Sequence, residues 1–298
     1  TNLQHMAPAK IESVGLFGKY GSRPSGGEIA RLSAFLQRRG LRVLLDEAAA
    51  GLVEKETAAS CASTEIGTQI DLAIVVGGDG TLLSVARTLA DHQVPLIGVN
   101  LGRLGFLTDI PPESMIEDIG KMLDGEYVDE ERFLLSAEIM RNGKAVHTSK
   151  AFNDVIINKG ELSRIIEFAT YVDDQFVNRM LADGIIIASP TGSTAYALSA
   201  GGPLLHPTLA AIVMVPICPH TLSDRPIVVS SDNLIRIVMV GHDNQRAHVT
   251  FDGQIHYPLR NQDQILVRRA PKAVHLWHPA GRTHYDVLRA KLHWIGQF

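Results

Sequence analysis

No stretch of this chain approaches the ~20 consecutive apolar residues that a membrane-spanning helix requires, and no secretory leader is expected. Cysteine is scarce. Cys61 and Cys218 offer neither a metal spacing nor a disulfide framework, which predicts buried thiols in a reducing, cytoplasmic setting. The 12 histidines form no H-x-x-x-H or H-E-x-x-H pattern, so no zinc site and no metal-ligating residues are expected. A basic excess is missing too. The formal net charge is -4, so no global field recruits nucleic acid. What remains is 45% hydrophobic and 20% charged residues over 298 positions, a soluble globular composition with core enough for one large domain or two.

The first six residues end in His5-Met6, read as a junction and are set apart from the fold. After them the pattern alternates. Segments 13–17, 42–46, 72–76 and 95–99 read as short apolar strands. Helical segments are expected at 28–39, with Ser25 as cap and Gly40 as stop, and at 81–91. Strands that are apolar throughout are those buried on both faces, which predicts a parallel sheet covered by helices. After Pro111-Pro112 one more helix runs to about Leu123 and stops at Gly125. Then the pattern changes to many short strands, at 134–140, 146–151, 165–173, 234–240, 248–251, 264–268 and 273–278, with Asn142-Gly143 as a hairpin turn. The expected architecture is α/β plus all-β. An N-terminal open parallel α/β domain spans 7–128, completed by a helical tail at 280–298, and an antiparallel β-sandwich spans 129–279.

Gly77-Gly78-Asp79-Gly80-Thr81 joins the apolar run 72–76 to a helix start. A strand that ends in glycines and turns into a helix presents free backbone N–H groups, which suit a phosphate. The loop carries a carboxylate and no lysine, unlike the common nucleotide loops. An acid where phosphates dock suggests a group that handles a hydroxyl proton or a Mg²⁺ ion, and hence phosphoryl transfer; the alternative is a tight turn with a surface aspartate. Asn153-Asp154 precedes a second apolar run, where a carboxamide beside a carboxylate can bind adjacent ribose hydroxyls or simply form an Asx turn. The segment from Asp183 to Pro203, with Ser189-Pro190-Thr191-Gly192-Ser193-Thr194-Ala195-Tyr196 at its centre, runs from a strand into small and hydroxylated residues and a short helix. Small residues admit a ligand to the backbone, and the helix start favours anions. Asp252-Gly253, followed by Gln254, reads first as a hairpin turn.

Taken in this order and spacing, GGDGT, Asn153-Asp154 and the segment through TGSTAY resemble the NAD kinase family, over roughly residues 14–278. Gly102-Arg103-Leu104-Gly105-Phe106-Leu107, Pro219-His220-Thr221-Leu222 and Asp252-Gly253-Gln254 support the resemblance. GGDGT is shared with diacylglycerol-type lipid kinases and, in related form, with phosphofructokinases, whereas TGSTAY is specific. The resemblance implies transfer of the γ-phosphate of ATP, with Mg²⁺ or another divalent cation, to the 2′-hydroxyl of the adenosine ribose of NAD. It implies Asp79 as general base, with Gly80 beside it at the dinucleotide. It implies NAD-binding roles for Asn153, Asp154, Arg164, Asp183, Thr194, Ala195, Tyr196, Ala197, Leu198, Ser199 and Gln254. Gly77, Gly78, Thr81, Arg103 and His220 complete the candidate set in a secondary position. It further implies a homodimer or homotetramer that uses NAD and ATP and engages neither nucleic acid nor membrane. Arg179-Met180-Leu181-Ala182 departs from the polar run that the family places before the aspartate. The departure bears on the nicotinamide end and on the choice between NAD and NADH.

Overall fold

The computed structural model describes residues 10–18, 24–54, 57–102, 105–160, 165–221, 223–240, 247–281 and 283–294. The chain divides into two compact units, residues 1–131 with 273–298 and residues 132–272.

The first unit is α/β. In chain order its elements are β1 (Ser13–Gly18), α1 (Pro24–Arg38), β2 (Arg42–Leu45), α2 (Glu47–Ala50), β3 (Ala59–Ser60), β4 (Leu72–Gly77), α3 (Asp79–Leu89), β5 (Leu96–Asn100) and α4 (Met115–Leu123). The chain enters β6 (Tyr127–Arg141) here and returns at the end of β17 (Gln264–Pro279), followed by α6 (His284–Leu292). The sheet order β17-β5-β4-β1-β2-β3 is parallel throughout. Strands β1 and β4 are buried at every position, which explains their uninterrupted apolar sequence. Ile29, Leu32 and Leu36 on one face of α1 pack into the same core as Val14, Leu16, Ile74 and Ile97. Successive strands run outward in opposite directions from the β1/β4 pair. The loop after β4 therefore opens at a topological switch point, where open α/β sheets bind ligands.

The second unit is antiparallel. It adds β7 (Lys144–Ala151), β8 (Asp154–Lys159), β9 (Ile166–Val172), β10 (Gln175–Ala182), β11 (Gly184–Ala188), α5 (Tyr196–Ser199), β12 (Ala211–Ile217), β13 (Ile227–Ser230), β14 (Ile235–Met239), β15 (Ala247–Phe251) and β16 (Ile255–Leu259). One sheet runs β10-β9-β14-β17, with β6 pairing β17 and β7; the other runs β13-β12-β11-β8-β15-β16. Alternation of side chains along the strands fills the space between the sheets: Val155, Ile157, Ile185, Ile187, Ile212 and Met214 meet Phe168, Ile235, Ile237, Ile265 and Val267. The intervening Ile156, Ile186, Ala188, Val213 and Val215 face outward, where Ala197 and Leu205 cover them in a second apolar layer. This α/β plus sandwich architecture is the expected fold class.

Several details differ from expectation. Ser25 lies inside α1 and is buried, because the helix begins at Pro24, a residue suited to a first turn. Helix α3 begins at Asp79, two residues early, because the extended Gly78 serves as its N-cap. The segments 264–268 and 273–278 form a single strand, continuous through Pro271. Neither thiol is buried: Cys61 is half-buried and Cys218 is exposed, in a left-handed turn after β12. Among the described residues no helix is long and apolar enough to cross a membrane.

Candidate active site

In the first unit, the β4–α3 turn puts Asp79 at the first position of a helix, where its carboxylate could bond its own helix amides. It reaches instead to the turn at 105–108. Oδ2 accepts from the Phe106 backbone N–H at 2.8 Å, and Oδ1 accepts from those of Leu107 and Thr108, each at 3.1 Å, and from the Thr108 hydroxyl at 3.0 Å. Gly105 permits the approach: a Cβ there would lie 2.1 Å from Asp79 Oδ1. Gly77 is buried, Gly78 and Thr81 are half-buried, and Gly80 is exposed. A Cβ on Gly77 would meet the Thr81 hydroxyl at 2.7 Å, so the first glycine of the loop is required by packing alone.

In the second unit, the residues around Asn153 are held by a carboxylate 99 positions away. Asp252 and Gly253 both have positive φ and close the β15–β16 hairpin, as the sequence predicts. The Asp252 carboxylate also accepts from the backbone N–H groups of Phe152 (3.0 Å), Asn153 (2.7 Å) and Asp154 (3.2 Å). Asp154 is buried, and its carboxyl is pushed up to about 7, first by burial and then by the charge of Asp252. The TGSTAY segment packs on the same turn. The Ser189 hydroxyl donates to the Phe152 carbonyl at 2.6 Å and accepts from the Gly192 N–H at 3.2 Å. A Cβ on Gly192 would lie 2.0 Å from the Asn153 carbonyl oxygen, so only glycine fits. Ser193 bonds the Pro190 carbonyl and receives the Leu205 N–H, and Thr194 donates to the Thr191 carbonyl.

The structure thus brings Asn153, Asp154 and the start of the TGSTAY segment together, with the Asp252 turn beside them. Tyr196 and Ser199 of α5 are exposed, Thr194, Ala195 and Leu198 are half-buried, and Ala197 turns into the apolar layer. Asp183 is partly exposed and ion-paired to Lys159 at 2.7 Å. Gln254 and His220 are exposed, and the His220 backbone N–H bonds the Leu181 carbonyl. Arg103 and Arg164 lie outside the described residues. Three contributors were not foreseen: Thr108, Ser189 and Arg132, a buried arginine whose Nη1 donates to the Thr191 hydroxyl at 3.1 Å. Thr108 closely follows the quoted Gly105-Phe106-Leu107 and Ser189 opens the quoted segment, so position was the available signal; nothing local marks Arg132.

Comparisons with known proteins bear on this site. The family model of the ATP-NAD kinase N-terminal domain matches residues 28–127, and that of the ATP-NAD kinase C-terminal domain matches residues 152–278. A NAD kinase of Aromatoleum aromaticum is 46% identical over 282 residues, which is 94% of this chain and 93% of the relative. One from an Azoarcus species is 46% identical over 288 residues, or 96% of this chain and 97% of the relative. Among solved structures, an NAD kinase from Archaeoglobus fulgidus in complex with ATP superposes at TM-score 0.76 with 26% identity, covering 95% of this chain and 100% of that one. A yeast NADH kinase complexed with NADH superposes at 0.86 with 24% identity, covering 97% and 90%, a likeness of fold.

Proposed function

The chain belongs to the ATP-NAD kinase family, and from that premise we propose how its own residues divide the reaction. The activity is the ATP-dependent phosphorylation of NAD to NADP. The acceptor is the 2′-hydroxyl of the adenosine ribose, and Asp79 takes its proton. The hydroxyl oxygen bonds to the γ-phosphorus, and the bond from that phosphorus to the β–γ bridging oxygen breaks, its electron pair leaving with ADP. The observation that supports Asp79 in this role is its fixed carboxylate, held by four donors at the mouth of the switch-point loop. Phosphoryl transfer through a loose transition state asks mainly for positioning, and proton removal comes late, so a well-oriented weak base suffices.

The first unit carries this acid and the glycine loop; the second binds the dinucleotide. Asn153, Asp154, Asp183, Gln254 and the stretch 194–199 contact NAD, with Arg164 assigned by the family pattern alone. An Asp154 carboxyl poised near 7 is partly neutral at neutral pH, so it can donate to one hydroxyl and accept from another, which suits a vicinal diol. Among the described residues no three His, Cys, Asp or Glu side chains converge on a metal. Mg²⁺ is characteristically held by substrate phosphates with one or two carboxylates, so the divalent cation is assigned to the phosphates of Mg-ATP. Two free thiols fit a cytoplasmic setting. Exposed Phe176 and Leu181 on edge strand β10, with Ile227 and Val228 on edge strand β13, support a homodimer or homotetramer.

The test is direct. The purified chain is incubated with NAD and Mg-ATP, and NADP is read through an NADP-specific dehydrogenase. Absence of NADP while NAD still binds by calorimetry overturns the kinase reading in favour of a dinucleotide sensor. Parallel arms with NADH and with inorganic polyphosphate fix the acceptor and the donor.

A further inference from the structure

The two oxygens of Asp79 are not equivalent. A carboxylate oxygen has two lone-pair sites. Oδ1 receives three donors, from the Leu107 N–H, the Thr108 N–H and the Thr108 hydroxyl, whereas Oδ2 receives the Phe106 N–H and, among the described residues, nothing else. Oδ1 has no capacity left, and Oδ2 has one site. The hydroxyl that completes the saturation is itself immobile. Thr108 is fully buried, and its carbonyl accepts from the Gly105 N–H at 3.1 Å and from Asn100 Nδ2 at 3.3 Å. Asn100 Oδ1 in turn accepts from the Gly102 N–H at 2.8 Å. The backbone of the turn lies against β5 at Gly98, where a Cβ would come within 2.8 Å of the Leu107 carbonyl oxygen and 2.9 Å of Thr108 Cα.

We infer that Thr108 is a positioning residue for the phosphoryl transfer: its hydroxyl, with the amides of residues 107 and 108, occupies Oδ1 and leaves Oδ2 as the one atom of Asp79 open to the ribose proton. The inference rests on the reading of Asp79 as the proton acceptor. In the transfer step the 2′-hydroxyl proton moves to Oδ2 while the oxygen bonds to phosphorus and ADP departs. A carboxylate on an unrestrained helix start presents either oxygen in several rotamers, and each wrong one misplaces the acceptor by about an ångström or more, a displacement that can cost up to ~10² in rate.

Thr108→Val keeps the shape and removes the hydroxyl. The expected result is a kcat lower by about tenfold or more, with KM for NAD within twofold and calorimetric NAD affinity unchanged, and Thr108→Ser recovers most of the lost rate. If Thr108→Val does not fold, Thr108→Ala is read in the same way. A hydroxyl that merely props the turn predicts a lower Tm with parental kcat per folded molecule, and that outcome overturns the inference. Asp79→Asn run alongside separates the two levels. An inactive Asp79→Asn beside a fully active Thr108→Val rejects Thr108 alone, whereas an active Asp79→Asn rejects the reading of Asp79 itself.

Discussion

An asparagine at position 79 cannot satisfy the turn it faces, whichever way its amide lies. With its NH₂ at the Oδ2 position it meets the Phe106 N–H, and with its NH₂ at the Oδ1 position it meets the amides of residues 107 and 108. Asp79→Asn should therefore lower kcat by about 10² or more and also reduce stability by about 1–3 kcal/mol, while NAD affinity stays within a few-fold. Single-turnover kinetics, thermal melting and calorimetry separate the three effects, and a parental kcat removes Asp79 from the chemistry. Asp154 makes a different prediction. Its folded value of about 7 lies above the ~3.9 of an unfolded aspartate, so the stability of its protonated form is present below about pH 4 and is lost as pH rises through about 7. Asp154→Asn should thus gain stability relative to the parent between pH 5 and 8, by a few kcal/mol at most. A difference in Tm that is constant across that range contradicts the assignment.

At the scale of elements, the turn at Asn153 and the TGSTAY segment are one piece of packing. Gly192→Ala drives a methyl group into the Asn153 carbonyl and should destabilise the second unit by about 3 kcal/mol or more, measured as the urea midpoint at constant slope. An unchanged midpoint means that the 153 turn and the 192 turn move apart freely. Much of this element structure was legible in the sequence. Strand β4 with its glycine loop, α4 and the Asn142-Gly143 and Asp252-Gly253 hairpins each rest on a local pattern that tertiary packing reinforces. Strand β12 is masked in the sequence: Ala211–Ile217 is apolar, but Pro216 within it argues against a central strand. Pro271 likewise interrupts the strand pattern of β17, although the strand runs through it. The Asp79–Thr108 contact was illegible for another reason. It joins positions 29 apart, and beside the Thr108 hydroxyl the other three donors to Asp79 are backbone amides, which have no residue-type signature.

At the scale of the whole molecule, the apolar side chains left on the edges of the sandwich carry the last prediction. Phe176→Glu combined with Val228→Lys should shift the sedimenting species towards the 32.4 kDa protomer, and an unchanged mass places any self-association elsewhere. The doubly covered strand β11 has a further consequence. Its amides are shielded by the sandwich interior on one side and by the layer containing Ala197 and Leu205 on the other, so they exchange with deuterium only when that layer lifts or the unit opens globally. Dinucleotide bound along 194–199, as proposed, would hold the layer down by mass action. Occupancy should therefore register as slower exchange at Ile185–Ile187, on a strand buried beneath the segment proposed to contact the ligand, which would make β11 an internal reporter of binding.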